Sequence, residues 1–183
     1  VENIREVILA GGSMFMAEPM FLLYDEVREP QPHLAILKTI GAGHHTLDAI
    51  SNAALIGKTH LSSYLVRLQD LRMVERRLPA TVQPNERRLA RRGRYHLCDA
   101  YFRFYFRFIA PYHDTVTLTP DAALQNIQQH LRAFVGQTAF EDPARQWVIA
   151  QSQAGALPFA PTVVGSHWSR TAQIDVVAVV SSQ

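Results

Sequence analysis

Apolar positions recur at helical spacing through most of this chain and give way to short strand-like runs around 74–97 and 162–180. Stripes spaced by three and four predict helices over 33–40, 46–54 and 59–72. In the third of these, Leu61, Tyr64, Leu65, Leu68 and Leu71 share one face, while His60, Ser62, Ser63 and Arg67 share the other. Thr46 is suited to cap the second helix, whose buried side carries Leu47, Ile50 and Ala54, and Gly41-Ala42-Gly43 forms the turn before it. Ile56-Gly57-Lys58 separates the second and third helices with the length and glycine content of a helix-turn-helix break. Strand-like runs at 74–78 and 93–97 then flank a polar, Pro- and Arg-rich loop at 80–92. This order predicts a winged helix-turn-helix over 31–100, with a plain three-helix bundle plus β-hairpin as the alternative.

The flanks are read by the same periodicities. Residues 1–30 suggest two helices around a Gly11-Gly12-Ser13 turn, with Pro19 in the first turn of the second helix. The stretch 99–111 is two-sided: Phe102, Phe104, Phe106 and Phe108 alternate as in a strand, yet Asp99 is a plausible N-cap and Arg103 and Arg107 share a helical face. A helix is favoured, bridging two domains over 101–119 and burying its aromatics by packing rather than stacking them on bases. Residues 112–120 read as a linker. Amphipathic spacing at 121–134 and 140–153 predicts two further helices, with Pro143 in a first turn, and 162–168 and 173–180 read as strands joined by 169–172. The expected fold is mainly α with small β: end helices at 1–30, the winged helix, the bridging helix, and a partial α/β segment at 120–183.

At 183 residues, 48% hydrophobic and 19% charged, the chain has the make-up of a globular protein with a real core. No apolar run approaches the ~18 residues of a membrane helix. The single Cys98 excludes an intrachain disulfide, and a cytoplasmic setting is expected. Starting at Val1 and stopping just after the apolar run 174–180, the chain reads as a fragment.

Charge changes the picture. The net +2 conceals eleven arginines between positions 67 and 107 set against four carboxylates, a local balance of +7 that leaves −5 elsewhere. Such a basic hairpin beside a candidate recognition helix points to phosphate contacts. The expected partner is double-stranded DNA, touched by Lys58, Thr59, His60, Ser62, Ser63 and Arg67 on the third helix and by Arg87, Arg88, Arg91 and Arg92 on the loop. The competing reading has these arginines paired with acidic faces of the protein itself.

Other motifs carry little chemistry. Gly57-Lys58-Thr59 imitates the end of a P-loop, but the glycine required five positions earlier is Asn52, so no nucleotide site is expected. His44-His45 has no partner at metal-binding spacing, and both are expected as surface loop residues. Glu141 on a helix and Asp175 on a strand could contribute two ligands to a Mg²⁺ site, yet no acid or lysine follows Asp175. The fragment is expected to be catalytically inactive, with no cofactor or complete metal site of its own.

Taken together, several segments resemble the C-terminal half of the archaeal-type (DEXX-box) ATPases, which are AAA-related. They are Phe21-Leu22-Leu23, HLAILKTIGAG leading to TLDAIS, the leucine helix ending in MVERRLP, RGRYHLCDAYFRFYFRF, and F-E followed by GSHW and QIDVVAV. In that family a P-loop ATPase module precedes a winged helix and a domain similar to PD-(D/E)xK nucleases. The resemblance implies an upstream ATPase module using ATP and Mg²⁺, with a homo-oligomer left open. It makes Glu141 the first-helix glutamate, Asp175 the strand aspartate, and places the acid-x-lysine past Gln183. Met73 stands where that winged helix usually has glycine.

Overall fold

The structure, a computed structural model, describes residues 2–83, 85–87, 90 and 92–180. It is mainly α with two small β-hairpins, and divides into two compact units, Val1–Arg76 with Arg94–Arg132, and Arg77–Gly93 with Ala133–Gln183.

The first unit opens with a π-helical turn, Ile4–Ile8, then a turn in which Gly12 takes φ 78°, then α1, Met14–Glu26. Pro19 lies inside α1 rather than in its first turn. Lacking an N–H, it cannot bond the carbonyl four residues back, and the Tyr101 hydroxyl donates to that Phe15 oxygen at 2.6 Å instead. Burial, helped by Tyr105 and Glu18, holds the Tyr101 hydroxyl well above its ordinary pKa, so it remains a donor.

Helix α2, Pro30–Gly41, starts on a proline whose missing N–H costs nothing there, and it buries Leu34, Ile36, Leu37 and Ile40. Helix α3, Leu47–Ala54, is capped as its sequence predicts, with Thr46 Oγ1 accepting from the Ala49 N–H at 3.2 Å. Left-handed Leu55 (φ 56°) ends it and Gly57 opens α4, Lys58–Asp70, which seals Leu61, Leu65 and Leu68 inward. Arg72 takes the other left-handed turn (φ 56°), leaving Met73 buried at the head of β1, Val74–Arg77, which pairs with β2, Arg94–Leu97. His45 is not a free loop residue. Its carbonyl accepts from the Tyr95 N–H and its Nδ1 meets the Tyr95 carbonyl, both at 2.8 Å, while its ring stacks on His96 at 4.3 Å.

The aromatic stretch is helical: α5, Ala100–Phe104, runs on as a π-helical turn, Tyr105–Ile109, and a 3₁₀ turn, Ala110–Tyr112. Asp99 Oδ1 caps it by accepting from Tyr101 N–H at 2.7 Å and Phe102 N–H at 3.0 Å. The alternation that imitated a strand is two i,i+4 pairs on different sides of one helix. Phe102 meets Phe106 at 6.0 Å and Phe104 meets Phe108 at 5.3 Å between ring centroids. The expected linker at 112–120 is instead largely helical, as α6, His113–Leu118, with Val116 buried, and α7, Pro120–Thr138, begins directly after it. Burial of Val116, Ala123 and Ile127 gives this stretch a helical packing that the linker reading did not anticipate. Near its C-terminal end α7 passes into the second unit.

In the second unit α8, Glu141–Gln153, precedes an antiparallel hairpin of β3, Val163–Trp168, and β4, Gln173–Val179, with a register shift between Gly165 and His167. Loop residues 77–93 are laced to β3. Ala80 N–H donates to the Ser166 carbonyl at 2.8 Å, Thr81 Oγ1 meets His167 Nδ1 at 2.8 Å, and Trp168 Nε1 donates to the Arg92 carbonyl at 2.9 Å. Among the described residues no helix is long and apolar enough to cross a membrane.

Two substitutions check this core. Leu65→Ala, at a side chain only 1% exposed, is expected to cost ~2–5 kcal/mol in urea unfolding. A Cβ on Gly41 would stand 2.5 Å from Phe106 Cβ, so Gly41→Ala is expected to destabilise by at least ~1–3 kcal/mol. A loss below about 0.5 kcal/mol in both would contradict this packing.

Candidate functional site

The outward side chains of α4 follow from its amphipathic spacing. With Leu61, Leu65 and Leu68 turned in, Lys58, Thr59, His60, Ser62, Ser63 and Arg67 are all exposed. The structure thus brings the six candidates together on one helix, and it also engages four of them. Lys58 Nζ lies 2.7 Å from Asp48 Oδ1. Ser62 Oγ and Ser63 Oγ bond back to the Lys58 and His60 carbonyls at 2.8 and 2.7 Å, as serines in helices do. Arg67 Nη2 donates to the Glu26 carbonyl at 2.7 Å and stands 3.6 Å from its carboxylate. These exposed ion pairs are worth little individually, ~0–1 kcal/mol, so a phosphate could displace either acid.

On the basic loop, Arg87 and Arg92 are exposed, whereas Arg88 and Arg91 lie outside the described residues. Trp168 and the Ala80 backbone hold the two ends of this loop on β3. Reading the sequence missed these anchors, because a tryptophan near the end of a strand carries no mark of its distant partner.

The second unit also places Glu141 and Asp175 near enough to interact. Glu141 is the first residue of α8, with its Oε2 3.8 Å from Arg77 Nη1 and 3.4 Å from the Ser166 hydroxyl. Asp142 Oδ1 lies 3.7 Å from Arg77 Nη2 and also pairs with Arg145. Partial burial raises the Glu141 carboxyl above its ordinary 4.5, the Asp175 charge raises it further, and Arg77 opposes both. Arg77, Asp142, Arg145 and Ser166 were absent from the sequence-based candidates. The one available signal was Arg77 in the basic segment, whose competing reading pairs its arginines with acidic faces of the protein itself, as Arg77 does. Among the described residues no group of three or more His, Cys, Asp or Glu side chains is placed to hold a metal ion. An arginine within ion-pair distance of both Glu141 and Asp142 instead makes the cluster an ion-pair network that keeps a net negative charge.

Residues 105–183 match a family described as archaeal and bacterial proteins of unknown function. The chain is 30% identical over 169 residues, 91% of its length, to the uncharacterized protein MJECL04 of Methanocaldococcus jannaschii. It spans 37% of the length of that relative. No solved structure matches the chain at a significant level.

The acidic network makes a pH prediction with a definite sign. Because folding raises the Glu141 pKa, the folded state holds its proton more tightly, and this group's contribution to stability falls as pH climbs above 4.5 toward the folded value. Glu141→Gln is therefore expected to gain in Tm relative to wild type between pH 4.5 and 7, with the gain levelling off above the folded pKa. Asp175→Asn should lower the Glu141 pKa in a ¹³C-carboxyl NMR titration; an unmoved titration would separate the two carboxylates.

Proposed function

We propose that residues 31–100 form a winged helix-turn-helix that binds duplex DNA, with α4 in the major groove and the arginines of 80–92 on phosphates. The observation that carries this reading is α4 itself. Its leucine face is sealed, and its opposite face presents Lys58, Thr59, His60, Ser62 and Ser63 after a glycine break from α3. The +7 balance of the surrounding segment supplies the sequence-independent part of the attraction. We infer further that this region works within a longer P-loop ATPase polypeptide, as the resemblance of its motifs implies. On the same resemblance, the α8 and β3–β4 segment is the start of a restriction-endonuclease-like α/β domain, in which Glu141 and Asp175 lack the third acid and the lysine of a working site.

A second reading has its own observation. Helix α1 exposes Met14 (77%), Phe21 (69%), Leu22 and Tyr24, while Arg67 and Lys58 are held by Glu26 and Asp48. A module that docks on protein through α1 and never touches DNA would look the same.

Salt dependence separates the two. For the DNA reading, log affinity for any duplex should fall with log salt at about −0.9 per phosphate neutralised. Replacing Arg87, Arg88, Arg91 and Arg92 together should weaken all sequences alike and flatten that slope. Binding unchanged in the quadruple variant, or none at low salt, favours the docking module.

Gly57-Lys58-Thr59 forms the turn into α4 from a preceding helix, with Lys58 on Asp48, whereas a P-loop follows a strand. This chain by itself is accordingly expected to give no ATP binding in calorimetry at micromolar nucleotide. A signal abolished by Lys58→Ala would overturn that expectation.

A further inference from the structure

Helix α4 carries an apolar side chain in the middle of its outward face. Val66 is 56% exposed. It follows Thr59 and Ser63 at helical spacing, so the three stand in one line on the side away from Leu61, Leu65 and Leu68. A single exposed valine is ordinary by itself, and its neighbours are what give this one meaning. It escaped the reading of the sequence because that reading sought polar groups on this face.

Ser62 Oγ and Ser63 Oγ spend their protons on the Lys58 and His60 carbonyls, at 2.8 and 2.7 Å. Each hydroxyl oxygen is thereby left to an incoming group as an acceptor. Lys58 and Arg67 flank the line on opposite sides and are drawn away from its centre, to Asp48 and to Glu26. His60 shares the flank of Arg67. Asp70, exposed at the end of the same line, repels phosphate and confines a DNA contact to 58–66. The centre of the face therefore offers an acceptor and an apolar surface, without the paired N–H donors that grip guanine.

In the major groove a G·C pair displays the guanine O6 and N7 acceptors. An A·T pair displays the adenine N6 donor and the thymine 5-methyl group. Helix positions three apart hold their Cβ atoms about 5–6 Å from each other, so Ser63 and Val66 reach neighbouring groups of one base pair.

We propose that α4 reads A·T base pairs, with Val66 against the thymine 5-methyl group and Ser63 Oγ accepting from the adenine N6 amino group. The proposal rests on the DNA-binding reading above and adds to it the class of site and the side chains that select it. Phosphate contacts by the arginines carry no such preference.

The test uses the full chain and alternating duplexes of equal length, built from dA and dT, from dA and dU, or from dG and dC. These need no known site, and affinity is read by fluorescence anisotropy across a salt series. Uracil keeps the pairing of thymine and lacks only the methyl group. The dA/dU duplex is expected to bind about fourfold more weakly than dA/dT, the worth of one methyl group removed from water. The dG/dC duplex should bind more weakly still, and all three should share one salt slope. Val66→Ser, a change at an exposed position, should level dA/dT with dA/dU, whereas Val66→Ile should keep them apart. Replacing dA by 2-aminopurine, which moves the amino group to the minor groove, should weaken the wild type and leave Ser63→Ala unaffected. Equal, salt-dependent affinity for dA/dT and dA/dU overturns the proposal and leaves DNA binding standing. A methyl preference that survives Val66→Ser also overturns it, as does an undiminished 2-aminopurine penalty in Ser63→Ala. Absence of binding to every duplex at low salt removes the DNA reading and this proposal together.

Discussion

Helix α2 and the aromatic helix meet at Gly41, where even a methyl group would stand 2.5 Å from Phe106 Cβ. That contact needs a residue without a side chain on one partner and a large aromatic, fully buried, on the other. It lets Ile36, Leu37 and Ile40 of α2 lie in one core with Phe102, Phe106 and Ile109, and dense aromatic packing of this kind tolerates neither voids nor added methylenes. The cap at Asp99 and the Tyr101 bond to the Phe15 carbonyl then orient the start of the aromatic helix and tie it to α1.

Helix α4 turns three fully buried leucines inward, and its opposite face is tied to the neighbouring helices only at Lys58 and Arg67, through exposed groups. Side chains on such a face can be chosen for recognition, and their present partners, Asp48 and Glu26, are exposed and weakly competitive. The acidic network of the second unit differs in kind. Arg77 sits about 16% exposed between Glu141 and Asp142, so one cation is shared by two partly buried carboxylates. Glu141 bears the cost as a raised pKa, its burial and Asp175 outweighing the arginine.

Local patterns were sufficient for much of this. Thr46 and Asp99 cap the helices their sequence context predicts, the Leu61–Leu65–Leu68 stripe faces inward, and Pro143 stands in the first turn of α8. Both hairpins sit where period-two runs and turn residues predict them. These features depend on hydrogen bonds and side-chain spacing within a few residues, which a sequence displays directly. The candidate set on α4 was legible for the same reason, since helical periodicity alone assigns its two faces.

Tertiary structure decided whatever depends on partners distant in the chain. Residues 112–120 become helical because Val116 finds a core. Pro19 is tolerated inside α1 because a tyrosine 82 positions later supplies the donor that Phe15 requires. His45 is tied to β2, Arg77 is drawn to the Glu141 and Asp142 carboxylates, and His33 is sealed with one nitrogen unpaired. None of these shows in a period or a motif, because desolvation and ion pairing act through space, and only the folded chain determines which groups are neighbours.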